Sequence, residues 1–197
     1  MSADPDTIAF YQARAPHWVF HSGEAHSHQL DAFLDRLPEG SAVLELGCGG
    51  GRDADHIRRR GFAIDATDAA PALVKRANEA FALAARVMAF HELDAEAAYA
   101  GVWAHASLLH CPRAALPDVL ARIHRALRQE GWFFSSYKLG DGEGRDLLGR
   151  LHNFPSPEWL LGAYAGAGFT IESHTIYAGR ASDGKQRDWI DLIARKA

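Results

Sequence analysis

The residues best placed to do chemistry lie in Glu45-Leu46-Gly47-Cys48-Gly49-Gly50-Gly51, followed by Arg52 and Asp53. Gly47 and Gly49 permit dihedrals closed to other residues and let a ligand approach the backbone. A helix opening directly after such a turn presents free N–H groups to the crevice. Glu45 sets a carboxylate just ahead of the glycines, which suits a cationic aminoacyl group better than a pyrophosphate. The turn also lacks the Gly-Lys-Ser/Thr ending of a nucleoside triphosphate loop. Asp68, at the end of a second apolar run, is placed to accept hydrogen bonds from ribose hydroxyls. Taken alone, the glycines are also compatible with a dinucleotide fingerprint or a bare structural turn.

A second set of residues could face a substrate. His110 follows a fourth apolar run, at the rim where substrates enter an open α/β sheet. Lys138 ends a fifth, and with Arg145 it would attract an anion. Trp189 would wall a pocket or fill core. Eleven histidines raise the question of a metal, with His17, His21, His26 and His28 close in sequence. No carboxylate or cysteine joins them at a recognised ligand spacing, so no metal site is expected.

These residues need a frame. Residues 6–19 and 29–37 have helical apolar spacing, and Pro38-Glu39-Gly40 closes the second of them. From Ser41 the pattern alternates: strand 41–46, helix 53–60, strand 62–67, helix 70–84, strand 86–90, strand 101–107, helix 114–127 and strand 131–138. Pro71 sits in the first turn of its helix, where a missing N–H is harmless. That rhythm implies right-handed crossovers and a doubly wound, mostly parallel α/β sheet. Residues 139–150 read as a glycine- and charge-rich loop, and Ser156-Pro157 as a helix start. Residues 169–177 and 188–194 read as a late antiparallel pair closing one edge of a seven-stranded sheet. One domain is expected over 1–197, with a helical cover (1–40), an α/β core (41–138) and a substrate-side region (139–197).

Composition narrows the partners. The 197 residues are 48% hydrophobic and 23% charged, with a formal net charge of -4. No basic face for nucleic acid is expected. Arg58-Arg59-Arg60 falls where a helix ends and would offset its dipole. Two cysteines do not suggest a disulfide framework, and no apolar run reaches the ~20 residues of a membrane span. The start of the chain has neither a basic nor an apolar leader pattern, so a cytoplasmic protein acting on a small molecule is expected. Oligomeric state is not legible.

The glycine turn resembles motif I of the class I S-adenosylmethionine-dependent methyltransferases. The spacing to Asp68 matches that family's ribose-binding acid, and residues 101–110 and 120–132 resemble its fourth strand and the helix and turn before its fifth. More narrowly, Ser136-Tyr137-Lys138 and Gly142-Glu143-Gly144-Arg145-Asp146 resemble a small bacterial subgroup described as tellurite-resistance-like methyltransferases. The resemblance implies a Rossmann-like fold with S-adenosylmethionine as cofactor and S-adenosylhomocysteine as product. It implies that Gly47, Gly49 and Gly51 line the methionine and ribose portions, that Glu45 steadies the amino group, and that Asp68 holds the ribose with Ala69 beside the adenine. It places Glu92 and Leu93 at the adenine, Ala104, His105 and Ala106 at the methionine end, Asp53 at the helix start or the cofactor, and Tyr11, Arg14 and Trp18 on a covering helix. His110 and Lys138 remain the candidate catalytic residues. The sequence departs from the family at Ala100, where an aspartate usually enters strand four. The expected reaction is in-line methyl transfer to a small molecule. The alternatives are an adenosylmethionine-binding regulatory or resistance protein without efficient turnover, and a nicotinamide-dependent oxidoreductase.

Overall fold

The computed structural model describes residues 3–17, 26–180 and 184–197. Trp18 and His21 lie outside the described residues. The chain runs through α1 (Pro5–Arg14), α2 (Leu30–Leu34), β1 (Ala42–Leu46), α3 (Arg52–Arg59), β2 (Ala63–Asp68), α4 (Pro71–Phe81) and β3 (Arg86–Val87). It continues through β4 (Tyr99–Ala104), α5 (Leu116–Ala126), β5 (Leu127–Lys138), β6 (Gly142–Arg145), β7 (Leu151–Phe154), α6 (Pro157–Gly166), β8 (Phe169–Arg180) and β9 (Gln186–Lys196).

The main sheet has the strand order β3-β2-β1-β4-β5-β9-β8. Pairs among the first five are parallel, while β5–β9 and β9–β8 are antiparallel. The expected α/β class, seven strands and antiparallel edge are all present. From β1 the chain winds outward to β3, then crosses back to β4 on the other side of β1. That reversal opens a crevice beyond the carboxyl ends of β1 and β4.

Strand side chains alternate between two packed faces, as the pleat requires. Val43, Trp103 and Phe134 meet Phe33, Leu34 and Ile57 of α2 and α3 on one face. Leu44, Val102 and Phe133 meet Leu120, Ile123 and Leu160 of α5 and α6 on the other. Trp103 is fully buried and stacks on Phe134 with ring centroids 4.0 Å apart. Such burial stabilises by about 1.5–3 kcal/mol per large side chain. The cations at the end of α3 are all ion-paired: Arg58 and Arg59 with Asp55, and Arg60 with Asp31 and Asp35.

Three expectations are corrected. The third strand shrinks to Arg86–Val87, and Phe90–Glu92 form a 3-10 turn. The helix expected to end at 84 stops at Phe81, because Ala82 takes a left-handed φ of 52°. Residues 139–150 are no simple loop: β6 pairs with β7 in a separate two-stranded antiparallel hairpin. The alternating glycines of β6 give no apolar period, so this hairpin escapes a periodicity search.

Candidate functional site

The crevice holds a cavity of about 380 Å³ lined from β1, β2, β4, β5, α1 and the β6–β7 hairpin. That size lies within the roughly 300–1,000 Å³ usual for small-molecule sites. Its floor is the turn after β1. The amides of Gly47 and Cys48 both donate to the Thr67 carbonyl at 2.8 Å. Gly47 has φ +81°, and a Cβ there would come within 2.4 Å of the Ser107 Cβ. The Gly49 amide donates to Asp68 Oδ2 at 2.9 Å, and the Ala70 amide to Asp68 Oδ1 at 2.8 Å. Each carboxylate oxygen keeps a lone pair for a ligand hydroxyl. Burial raises the Asp68 carboxyl above its ordinary range.

Glu45 is the odd group on this floor. It is buried, and its Oε2 has no hydrogen-bond partner among the described residues. Burial, followed by the nearby charges of Asp53 and Asp68, pushes its carboxyl well above the usual carboxylate value. An orphaned buried acceptor is costly, at about 1–3 kcal/mol, unless a ligand supplies a donor. A cationic N–H group placed there would both satisfy Oε2 and favour the ionised form. Ser107 Oγ, one strand away, is unpartnered in the same way.

Asp53 joins the floor to the amino-terminal cover. Its carboxylate accepts from the Ser27 amide at 3.1 Å, Ser27 Oγ at 2.5 Å, Arg52 Nε at 3.0 Å and Trp103 Nε1 at 3.1 Å. Burial alone would raise this carboxyl, but Arg52 and the Ser27 hydrogen bonds hold it below its ordinary value. Ser27 gives its proton to Asp53 and accepts from Arg52, so His105 Nδ1, 3.1 Å away, must be the donor toward it. Burial lowers His105 to about 4, so it is neutral. Ala106 holds a left-handed φ of 51°, pinned by its amide donating to Ser136 Oγ at 2.7 Å.

The opposite wall is a chain of polar groups. His110 Nδ1 lies 2.7 Å from the Leu151 carbonyl, which can only accept, so Nδ1 carries the proton. Burial lowers His110 to about 3, leaving Nε2 as a lone pair that accepts a hydrogen bond from the Tyr11 hydroxyl at 2.9 Å. Arg150 donates to the Tyr11 oxygen at 2.8 Å and to Asp146 at 2.6 and 3.0 Å. His152, fully buried, donates Nε2–H to the same carboxylate at 3.1 Å and is lowered by burial to about 4. Burial alone would raise Asp146, yet the Arg150 bonds drive it far below the carboxylate range. Lys138 is buried over the Trp189 ring, 5.4 Å from its centroid.

Residues 43–131 match the family model described as a methyltransferase domain. This segment carries an S-adenosylmethionine-dependent methyltransferase domain. No curated protein matches the sequence. Among solved structures, a 1,6-didemethyltoxoflavin N1-methyltransferase of Burkholderia thailandensis, with 1,6-didemethyltoxoflavin and S-adenosylhomocysteine bound, aligns at 24% identity and TM-score 0.75. The alignment covers 100% of this chain and 92% of that one. An S-adenosylmethionine-dependent methyltransferase of Methanosarcina mazei aligns at 14% identity and TM-score 0.76, over 87% and 98% of the two chains. The [4+2]-cyclase SpnF aligns at 18% identity and TM-score 0.72, over 97% and 93%. These likenesses show the fold. Among the described residues, no helix is long and apolar enough to cross a membrane.

The methyltransferase cavity gathers most of the residues singled out in the sequence. Tyr11, Glu45, Gly47, Gly49, Asp53, Asp68, Ala69, His105, Ala106, His110, Lys138 and Trp189 line it. Others stand elsewhere. Gly51 lets α3 approach α4, since a Cβ there would meet Ala77 and Leu83 at 2.8 Å. Arg14 sits over Phe10, Glu92 accepts the Ala89 amide of its own turn, and Leu93 and Ala104 are packed in the core. Phe90 takes the cavity position expected of Glu92 and Leu93. Arg145 is bound to Asp4 and Asp6 rather than facing the cavity. Arg150 and Arg180 line it instead, and both went unremarked in the sequence. Only the hairpin pairing, invisible to periodicity, brings Arg150 to Tyr11.

The donor half of the cavity fits the family's cofactor. A buried orphaned carboxyl faces the cavity where an ammonium is needed, and a carboxylate with spare lone pairs stands where hydroxyls are needed. Between them, Gly47 and Gly49 leave the backbone uncovered.

Proposed function

We propose that this chain transfers a methyl group from S-adenosylmethionine to a small, electron-rich acceptor. The observation that carries the reading is the unpartnered buried Oε2 of Glu45, set beside Gly47 and across from Asp68. Glu45 would hold the cofactor's ammonium, Asp68 its ribose hydroxyls, and Ala69 and Phe90 its adenine. His105 and Ala106 would close on the methionine end, with Tyr11 of α1 as part of the cover. The bound cofactor supplies an electrophilic sulfonium methyl, open to in-line displacement. The protein's own contribution is alignment and exclusion of water, which accounts for several kcal/mol of barrier.

His110 takes a positioning role in this reading. Burial holds its imidazole at about 3, too weak a base to take a proton from a hydroxyl or ammonium acceptor at neutral pH. Its lone pair is committed to Tyr11, so it orients that hydroxyl at the cavity wall. The acceptor then arrives already nucleophilic, as a thiolate, another soft anion or a ring nitrogen. Lys138 and Arg180 give the acceptor half a cationic character that favours such an anion. The heteroaromatic ligand of the Burkholderia structure supports a small-molecule acceptor. Within the class, residues 136–138 and 142–146 incline the chain toward the tellurite-resistance-like subgroup, on sequence resemblance alone.

Titration calorimetry with S-adenosylhomocysteine tests the donor half. Asp68→Ala is expected to weaken binding by about 10- to 100-fold, the loss of one or two charge-assisted hydrogen bonds. Unchanged affinity would remove the proposed site. Labelled methyl transfer to a panel of thiols, heteroaromatic nitrogens and chalcogen oxyanions tests turnover. A chain that binds cofactor yet labels nothing across that panel would favour the binder without turnover; the SpnF likeness shows that the fold also serves another reaction. The methyltransferase match stands against a nicotinamide cofactor.

A further inference from the structure

A second cluster lies on the outer face of α2 and α3, away from the cavity. His26 Nε2 is 2.7 Å from Asp31 Oδ2, and His56 Nε2 is 2.8 Å from Asp31 Oδ1. The two imidazoles stack with centroids 3.6 Å apart and planes at 14°. One ligand atom from each of the three residues lies within 4.8 Å of the other two. We propose that His26, Asp31 and His56 form a binding site for one first-row divalent cation, with Zn²⁺ the best match.

Two imidazole nitrogens and one carboxylate oxygen are a borderline donor set that favours Zn²⁺ over Mg²⁺ or Ca²⁺, which prefer oxygen. Zinc holds such ligands at about 2.0–2.2 Å, which brings the donor atoms to about 3.3–3.6 Å from one another. The donor atoms, now within 4.8 Å of one another, would draw together to that spacing as the two stacked rings rotate out of parallel. The side chains are 28%, 45% and 23% exposed, so an ion can enter and a water can complete its shell. Arg60 competes, because its guanidinium also contacts Asp31. Asp35, 2.7 Å from the other guanidinium nitrogen, would keep Arg60 in place once the ion takes Asp31.

Such an ion would act as a clamp. It would tie His26, which precedes Ser27, to α2 and α3. Ser27 delivers both its amide and its hydroxyl to Asp53 on the cavity floor. The sequence hides this site because its three ligands come from separate segments, and only His26 belongs to the histidine-rich stretch.

The test is titration calorimetry with ZnCl₂ on the full chain, tag removed, in a buffer that does not chelate. The wild type is expected to bind one Zn²⁺ per chain. His26→Ala and His56→Ala should each weaken it by about tenfold or more, since each removes a direct ligand. Arg60→Gln should tighten it severalfold by removing the competitor. His174→Ala, on the exposed face of β8, should leave it unchanged. All the positions are at least partly exposed, and circular dichroism checks that each variant folds. Absence of one-to-one binding with a Kd below ~100 µM (about -5.5 kcal/mol) overturns the proposal. So does full affinity in either histidine-to-alanine variant.

Discussion

Acid should destabilise this protein through three histidines that the fold keeps neutral. His105 and His152 are lowered to about 4 and His110 to about 3, each chiefly by burial. In the unfolded chain all three titrate near 6.5. A group whose folded pKa is depressed stabilises fully above its unfolded value and loses that stability as pH falls toward the folded one. The window therefore opens at about 6.5 and closes near 4. Between pH 6 and pH 5 each histidine costs about 1.2 kcal/mol, so the three together cost about 3.5 kcal/mol. Glu45 works against them: burial raises its folded pKa, so falling pH relieves the cost of its buried charge and returns part of that loss. Asp146 stays ionised in both states throughout and contributes nothing there. The expected net loss from pH 6 to pH 5 is positive and smaller than the histidines' about 3.5 kcal/mol by what Glu45 returns. Urea denaturation at closely spaced pH values, with the slope m unchanged, measures it. His152→Gln, which keeps a donor for Asp146, should remove about one proton from the slope. Stability that stays flat or rises from pH 6 to pH 5 would refute the assignment of these rings as buried and neutral.

Two other substitutions probe the frame of the site. Gly47→Ala should destabilise by about 2–4 kcal/mol, combining a left-handed φ with overpacking against Ser107. Adding Ser107→Gly should recover only the packing part in a thermal melt, and full recovery would mean the dihedral costs nothing. Arg150→Met should cost about 3–5 kcal/mol in urea titrations, because it strands the buried Asp146 carboxylate. A loss below about 1 kcal/mol would show that water reaches Asp146.

The donor half of the cavity was legible in the sequence for a physical reason. Gly47, Gly49 and Asp68 act through backbone geometry and a strand end, and both are encoded locally by residue type and spacing. Glu45 could be read as well, since it stands one strand position before the turn. The acceptor half depends on contacts between distant segments. Tyr11, His110 and Arg150 are joined by hydrogen bonds across 99 and 139 residues of chain, which no local pattern reports. The sequence singles out Arg145 and passes over Arg150, because nothing local in their charged segment tells the two apart. The β6–β7 pairing turns one toward Asp4 and the other into the cavity. The fold follows the same division: the alternating core was readable, whereas the hairpin of Gly142–Arg145 and Leu151–Phe154 was not.

That hairpin also separates the two halves of the cavity in the chain. The floor is held by strands of the main sheet, whereas Asp146, Arg150 and His152 belong to a hairpin whose two strands pair with each other and with no strand of that sheet. Exchange of the 17 residues between Lys138 and Ser156 would thus rewrite one wall while leaving the strand register beneath the donor untouched. In descent or in the laboratory, such a graft is a short route from one acceptor to another.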